Sequence, residues 1–287
     1  MNVLSLFDGI SCGRLALLRA GIPFEKYFAS EIDRYAIAIA MRNFSDTIQL
    51  GDIRSLSAQF CNVDLLLGGS PCQGFSFAGK QLNFEDSRSK LFFEFSKTLH
   101  NLKPKYFLLE NVKMKREFQD VISKHLQVEP IQINSSLVSA QNRSRLYWTN
   151  IPFVLQPKDK NICIRDIIND GHDWPDEQRN CNIGDIKVIK NIYPKKGQNG
   201  NVYSVYGKSK TLSAGIGVVG RGIGSSNAPK ISCKNDNGWR RMTVLECERL
   251  QTIPDDYTKG TSDTQRYKML GNAWTVDIIA HILQNIS

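Results

Sequence analysis

The sequence predicts an α/β protein organised on a mostly parallel sheet, and three observations carry that prediction. Short apolar runs such as Asp64-Leu65-Leu66-Leu67 and Tyr106-Phe107-Leu108-Leu109 have the length expected of strands buried on both faces of a parallel sheet. Strand-like and helix-like stretches alternate from residue 2 to about residue 150. The strand ends carry glycine turns or acids, and catalytic groups and ligands gather at that edge of such sheets.

Residues 2–7 read as the first strand, Asp8-Gly9-Ile10-Ser11-Cys12-Gly13 as a glycine turn, and Arg14 to Ala20 as a helix. The glycines are spaced G-x-x-x-G, not the G-x-G-x-x-G that brings main chain against a pyrophosphate, so the unit suits a ligand without phosphates or is an ordinary tight turn. The second strand, Tyr27 to Ser30, ends in Glu31, which either accepts the ribose hydroxyls of an adenosine or faces the dipole of a helix over 36–41. Asp52, after a short strand near Ile48, would reach an adenine amino group or cap a turn.

The fourth strand runs into Gly68-Gly69-Ser70-Pro71-Cys72-Gln73-Gly74-Phe75-Ser76. Pro71 stiffens the backbone before the cysteine, the glycines permit close approach, and polar neighbours replace the apolar ones a structural cysteine would have. Apolar residues 91, 92, 95, 99 and 102 share one helical face, so these aromatics belong to the core. The next strand delivers Glu110-Asn111-Val112 to the Cys72 edge, where desolvation should raise the carboxyl's pKa and make it a proton donor, with a structural turn acid as the alternative.

Residues 115–126 read as a helix, and 128–138 and 145–149 as strands around Gln141-Asn142-Arg143-Ser144-Arg145. Arginines on alternate residues of an extended segment share a face suited to phosphate or carbonyl contacts, or to surface salt bridges. From Asn150 the alternation stops, and 151–239 reads as a smaller domain with long loops. Thr243 and Glu246 form a capping-box signature, and an apolar helix over 276–286 should return to the first core. The expected division is therefore 1–150 plus 240–287 against 151–239.

The chain of 287 residues carries a formal charge of +9, which suggests a polyanionic partner. Nine Lys or Arg and no Asp or Glu lie between Lys187 and Lys234, among eight glycines and Tyr193, Tyr203 and Tyr206, a composition suited to nucleic-acid contact. Seven scattered cysteines without a C-x-x-C pair are expected as reduced thiols in a cytoplasm, and four dispersed histidines give no metal site. No apolar stretch approaches the ~20 residues that span a bilayer, so no membrane partner is expected.

The ordered set Phe7-Asp8-Gly9-x-x-x-Gly13, Glu31, Gly51-Asp52, Ser70 to Ser76, Glu110-Asn111-Val112, Gln141-x-Arg143-x-Arg145, Arg240-x-Met242-Thr243, Arg249-Leu250-Gln251 and Gly271-Asn272 resembles the DNA cytosine-5 methyltransferases, over nearly the whole chain outside 151–239. Pro-Cys-Gln-Gly-Phe-Ser is the bacterial and phage form, while Leu91 to Phe95 and Gly-Asn-Ala-Trp are similar to the animal de novo branch. The family's tRNA-modifying branch usually has Pro-Pro-Cys where this chain has Ser70-Pro71-Cys72.

The resemblance implies a Rossmann-like methyltransferase sheet with one antiparallel strand and a small inserted target-recognition domain. It implies S-adenosylmethionine as cofactor and duplex DNA as partner, for a monomer that transfers a methyl group to cytosine C5 and leaves S-adenosylhomocysteine. The adenosine would meet Phe7, Glu31, Ile32 and Asp52, and the methionine end Gly9, Gly13 and Asn272; Asp8, Ile53, Pro71 and Leu91 would also line the cofactor, and Trp274 would cover the methionine pocket or simply pack. Ile32 stands where an aromatic is often found, and Trp274 replaces a small aliphatic residue. Cys72 would be the nucleophile, Glu110 would act on N3, Arg145 would hold O2, and Arg143 would support that geometry or a phosphate. Gln73, Ser76, Lys208, Lys210, Arg221 and Arg240 would contact DNA.

Overall fold

The computed structural model describes residues 1–56, 62–70, 90–168, 186–193, 200–214, 228–232 and 238–286. Pro71, Cys72, Gln73, Ser76 and Arg221 lie outside the described residues.

Strands β1 (Asn2–Leu6), β2 (Lys26–Ser30), β3 (Ile48–Gln49), β4 (Leu65–Gly69), β5 (Tyr106–Val112), β6 (Ile131–Asn134) and β8 (Ser144–Thr149) form a seven-stranded sheet in the order β3-β2-β1-β4-β5-β8-β6. Strand β7 (Gln141–Asn142) lies outside it. The pairs from β3 through β5 are parallel and β8 runs antiparallel to β5, as the resemblance implies. Helices α1 (Cys12–Ala20), α2 (Arg34–Asn43), α3 (Lys90–Leu102) and α4 (Arg116–Leu126) connect the strands.

Alternate residues of the central strands build the core. Leu4, Leu6, Leu66, Phe107 and Leu109 join Phe92 and Phe95 of α3 and Ile122 and Leu126 of α4 in one buried cluster. Burying a phenylalanine of this kind contributes about 1.5–3 kcal/mol. Gly68 is required by that packing, because a Cβ there would sit 2.7 Å from the Phe95 ring. Trp148 on β8, fully buried, donates through Nε1 to Ser123 Oγ of α4 at 3.0 Å.

Contacts divide the chain into one unit of residues 1–133, 144–156 and 279–287 and another of 134–143 and 157–278. This grouping differs from the division expected at 150 and 240. Long-range bonds within the second unit are the reason: Ser139 Oγ donates to Leu250 O at 2.6 Å, and Gln141 Nε2 to the same carbonyl at 3.2 Å. That unit contains a sheet in the order β13 (Trp239–Arg241), β12 (Lys230–Ser232), β10 (Asn201–Tyr203), β9 (Val188–Asn191), and a pairing of β7 with β11 (Ser209–Lys210). Helix α5 (Val244–Leu250) begins with the anticipated capping box, Thr243 Oγ1 accepting from Glu246 N and Glu246 accepting from Thr243 N. The sequence reading assigned no helix to Asp263–Asn272, which forms α6; α7 spans Val276–Leu283. Among the described residues, Cys12 and Cys247 are free and buried. Among the described residues, no helix is long and apolar enough to cross a membrane.

Candidate active site

Parallel register brings the functional strand ends to one edge of the first unit's sheet. Leu6 pairs with Ser30 on one side and Gly68 on the other, and Gly69 pairs with Glu110. The residues that follow β1, β2 and β4 therefore leave the sheet at the edge that carries Glu110. Ser70 is buried there, and Asn111 Nδ2 donates to its Oγ at 3.0 Å while Asn111 Oδ1 accepts from Val112 N at 2.8 Å. Asn111 thus fixes the last described residue before Pro71-Cys72. Sequence alone gives Asn111 and Ser70 no such role.

Glu110 meets a cation. Its Oε1 lies 2.9 Å from Arg145 Nε, and both side chains are nearly buried, at 11% and 13% exposure. Antiparallel register explains the contact: Glu110 faces Tyr147 and Val112 faces Arg145, so the two charged residues are diagonal neighbours on one face. Arg145 also donates through Nη1 to Ser144 O at 2.9 Å. The guanidinium compensates a carboxylate that would be costly to bury alone.

At the other side of the edge, Glu31 is held by three backbone amides. Oε1 accepts from Ile32 N at 2.7 Å and Asp33 N at 2.8 Å, and Oε2 accepts from Gly9 N at 2.8 Å. A carboxylate has about four acceptor sites, so roughly one remains for a ligand hydroxyl rather than the two bonds expected. Ile32 beside it is 71% exposed, an apolar surface next to that acceptor. Phe7, Gly9 and Ser11 all have left-handed backbone, with φ of 58°, 60° and 60°.

Several residues expected at the cofactor are packed or paired within the protein. The Asp8 side chain is buried: Oδ2 accepts from Ser11 Oγ at 2.5 Å and Oδ1 from Tyr27 OH at 2.8 Å. Ile53 belongs to the buried core, because its turn packs inward. Leu91 packs against that same core, and Gly13 lies buried within α1. Asp52 accepts from Arg54 N at 2.9 Å and pairs with its guanidinium, which pulls the carboxyl down to about 2.

Burial pushes Asp8 up to about 6 from 3.8, against the hydrogen bonds of Ser11, Ser5 and Tyr27 and with the help of the Glu31 charge. The folded protein therefore holds this proton where the unfolded chain has released it, and stability falls as pH rises from about 4 through 6. Asp46, Asp52 and Asp255 are shifted down, so what they contribute is lost only below about pH 4. Denaturation at pH 5 and pH 7.5 should show the protein more stable at the lower value, by about 1.4 kcal/mol, and Asp8→Asn should flatten the difference. An unchanged profile in the variant would exclude Asp8 as its source.

In the second unit, Arg143 is buried. Its Nη1 donates to Leu212 O at 2.9 Å and its Nη2 to Ala273 O at 3.0 Å. Gln251, unassigned from sequence, donates through Nε2 to Leu270 O at 2.7 Å and Ala273 O at 3.2 Å, and its Oε1 accepts from Thr275 Oγ1 at 3.0 Å. Together they brace the turn carrying Asn272 and Trp274. Arg143 and Arg145 do not share a face of one extended segment: Arg143 N donates to Asn134 Oδ1 and Arg143 O accepts from Ser135 N, which breaks the chain between β7 and β8.

Two of the expected DNA contacts are corrected. Lys208 is fully buried, with Nζ donating to Ser136 O and Ile162 O at 2.7 Å and to Ser139 O at 3.2 Å. Arg240 forms a two-point pair with Glu246, at 2.8 and 2.7 Å, and so braces the start of α5. Lys210 sits in β11, where burial lowers its pKa.

A family model for C-5 cytosine-specific DNA methylases matches residues 1–287. The chain belongs to that family. Methylase relatives include the Type II methyltransferase M1.ScrFI of Lactococcus lactis subsp. cremoris, 31% identical, with 99% of this chain and 77% of that protein covered. The Type II methyltransferase M.HhaI of Haemophilus parahaemolyticus is 29% identical, with 100% and 94% covered. The methylase fold is also that of S. pombe Dnmt2, with a TM-score of 0.73 at 21% identity over 99% of this chain and 97% of that one. An Escherichia coli prophage protein described as a putative DNA modification methyltransferase gives 0.66 at 20% identity, with 99% and 98% covered. The protein is a DNA cytosine-5 methyltransferase, and the Glu110–Arg145 pair lies at the sheet edge where β4 ends.

Proposed function

We propose that this methyltransferase modifies cytosine in duplex DNA by adding the Cys72 thiolate to C6 of a base turned out of the helix. The observation that supports the reading best is the buried Glu110–Arg145 pair beside Gly69 and Ser70, with Cys72 two residues further along the chain. Cytosine C5 is a weak nucleophile, and a sulfur–C6 bond gives the ring enamine character with reactivity at C5. An ordinary thiol of pKa about 8.5 is only a few per cent ionised at pH 7, so turn amides and cations must favour the thiolate. Glu110 shares or supplies the N3 proton as sulfur adds, and Arg145 keeps Glu110 in place while its remaining donors hold O2. After C5 is substituted, its proton leaves to solvent, the sulfur–C6 bond breaks and the thiolate is regenerated. Extruding the base costs a few kcal/mol, offset by DNA contacts.

S-adenosylmethionine, when bound, supplies a methyl group made electrophilic by its sulfonium centre. The described residues fit its adenosine part: exposed Ile32 offers an apolar face beside the acceptor site left on Glu31, and Gly9 has open space where a side chain would stand. Phe7, Ile32 and Glu31 would hold the adenosine, and Asn272 and Trp274 the methionine end. We read 1–150 with 240–287 as the catalytic part and 151–239 as the target-recognition part, for a short DNA site.

The test is a duplex containing 5-fluorocytosine, incubated with enzyme and S-adenosylmethionine. A denaturation-resistant protein–DNA adduct is expected, and Cys72→Ala should form none. Adducts with 5-fluorocytosine tRNA and with no duplex DNA would overturn the substrate assignment; an adduct retained by Cys72→Ala would overturn the nucleophile.

A further inference from the structure

We propose that Tyr27, Asp8 and Ser11 form a buried lock that holds the β1–α1 turn in its cofactor-binding shape, making Tyr27 and Ser11 positioning residues for the cofactor. The inference rests on the reading of Phe7 to Gly13 as the cofactor turn. Three backbone observations show a turn that needs holding. Phe7 and Ser11 adopt left-handed φ, a strained conformation for a non-glycine residue, and Gly9 lies between them with the same sign. Asp8 N donates to Ser30 O and Ser11 N to Asp8 O, each at 3.1 Å, so Asp8 is pinned to the tip of β2 and to the start of α1 by its main chain.

Its side chain adds two more ties, to Tyr27 on β2 and to Ser11, the residue preceding α1. Ser11 would ordinarily cap α1 with its hydroxyl, a stabilising bond. It makes no such bond, and the hydroxyl goes to Asp8 instead. Tyr27 is itself clamped, because the Arg14 guanidinium lies 5.6 Å from its ring centroid and donates to Thr47 at 2.7 Å and Asp46 at 2.6 Å. The consequence falls one residue after Asp8, where Gly9 N donates to Glu31 Oε2. If the turn relaxed, Gly9 N and Phe7 would both leave the face that presents Glu31.

Burial of Asp8 is unfavourable for stability at neutral pH, as its upward shift indicates. A residue kept for folding alone would be better replaced by an uncharged one. The expected signature is therefore a separation of stability from binding. Tyr27→Phe removes one hydroxyl from a side chain that stays buried. It should raise Kd and KM for S-adenosylmethionine three- to tenfold and leave KM for DNA unchanged. Asp8→Asn should lose cofactor affinity by a similar factor while melting at no lower temperature than the wild type at pH 7.5. Ser11→Ala should act in the same direction as Tyr27→Phe.

Calorimetric titration with S-adenosylmethionine, thermal melts of the same samples, and methylation rates at varied cofactor and DNA concentrations give these readouts. Folded Tyr27→Phe and Ser11→Ala proteins with wild-type cofactor affinity would overturn the lock. A loss shared equally between cofactor and DNA would reduce it to a general structural role and overturn it as well. Failure of the wild type itself to bind S-adenosylmethionine would instead overturn the reading of the cofactor turn.

Discussion

Glu110→Gln should slow methyl transfer about 10²- to 10⁴-fold, the range a positioned proton donor or acceptor contributes. The substitution keeps size and shape, so the register of Glu110 with Gly69 and Tyr147 should survive. What disappears is the exchangeable carboxyl proton and the negative charge facing Arg145 Nε at 2.9 Å. An amide can still accept a hydrogen bond, so Arg145 keeps a partner and the fold should persist. Single-turnover rates at saturating DNA and cofactor isolate the chemical step. A decrease smaller than tenfold would remove Glu110 from proton management at N3.

Most of this sheet edge was legible because apolar runs and their terminators encode it directly. Leu65 to Leu67 and Phe107 to Leu109 are fully or almost fully buried, and the chain leaves each run at the glycine or acid that the sequence places there. The capping box at Thr243 and Glu246 was equally plain, since both partners lie within one helical turn. Helix α6 was not, because Gly271 near its end argues against a helix on propensity alone. There, a Cβ would run into the backbone of Ser213 and Ala214, so close packing selects the glycine.

Side-chain destinations were the least legible feature. Lys208 and Arg240 were counted with the basic residues that favour DNA, but charge composition gives a sign and no direction. One ammonium is spent on three carbonyls and one guanidinium on Glu246. Arg143 and Gln251 meet near Ala273 although they are separated by more than a hundred residues, which no local periodicity can report. Asp8 shows the same limit at short range: its place in the turn was evident, but its inward orientation depends on a tyrosine nineteen residues away.

Arg145→Met should destabilise the protein by about 3 kcal/mol, the lower end of the cost of stripping a buried ion pair of one partner. Side-chain exposures of 13% and 11% leave some access to water, which is why the lower end applies. Methionine preserves much of the aliphatic bulk, so the loss would report the unpaired Glu110 carboxylate more than a cavity. Adding Glu110→Gln to Arg145→Met removes that stranded charge and should restore a large part of the stability without restoring turnover. Urea denaturation of the wild type, both single variants and the double variant closes the cycle. If the double variant were as unstable as the sum of the singles, the pair would not be coupled, and Arg145 would have to be assigned to packing rather than to holding the carboxylate. Recovery of stability with turnover still absent would show that Arg145 holds the carboxylate in the fold and that the pair's charge also serves the chemistry.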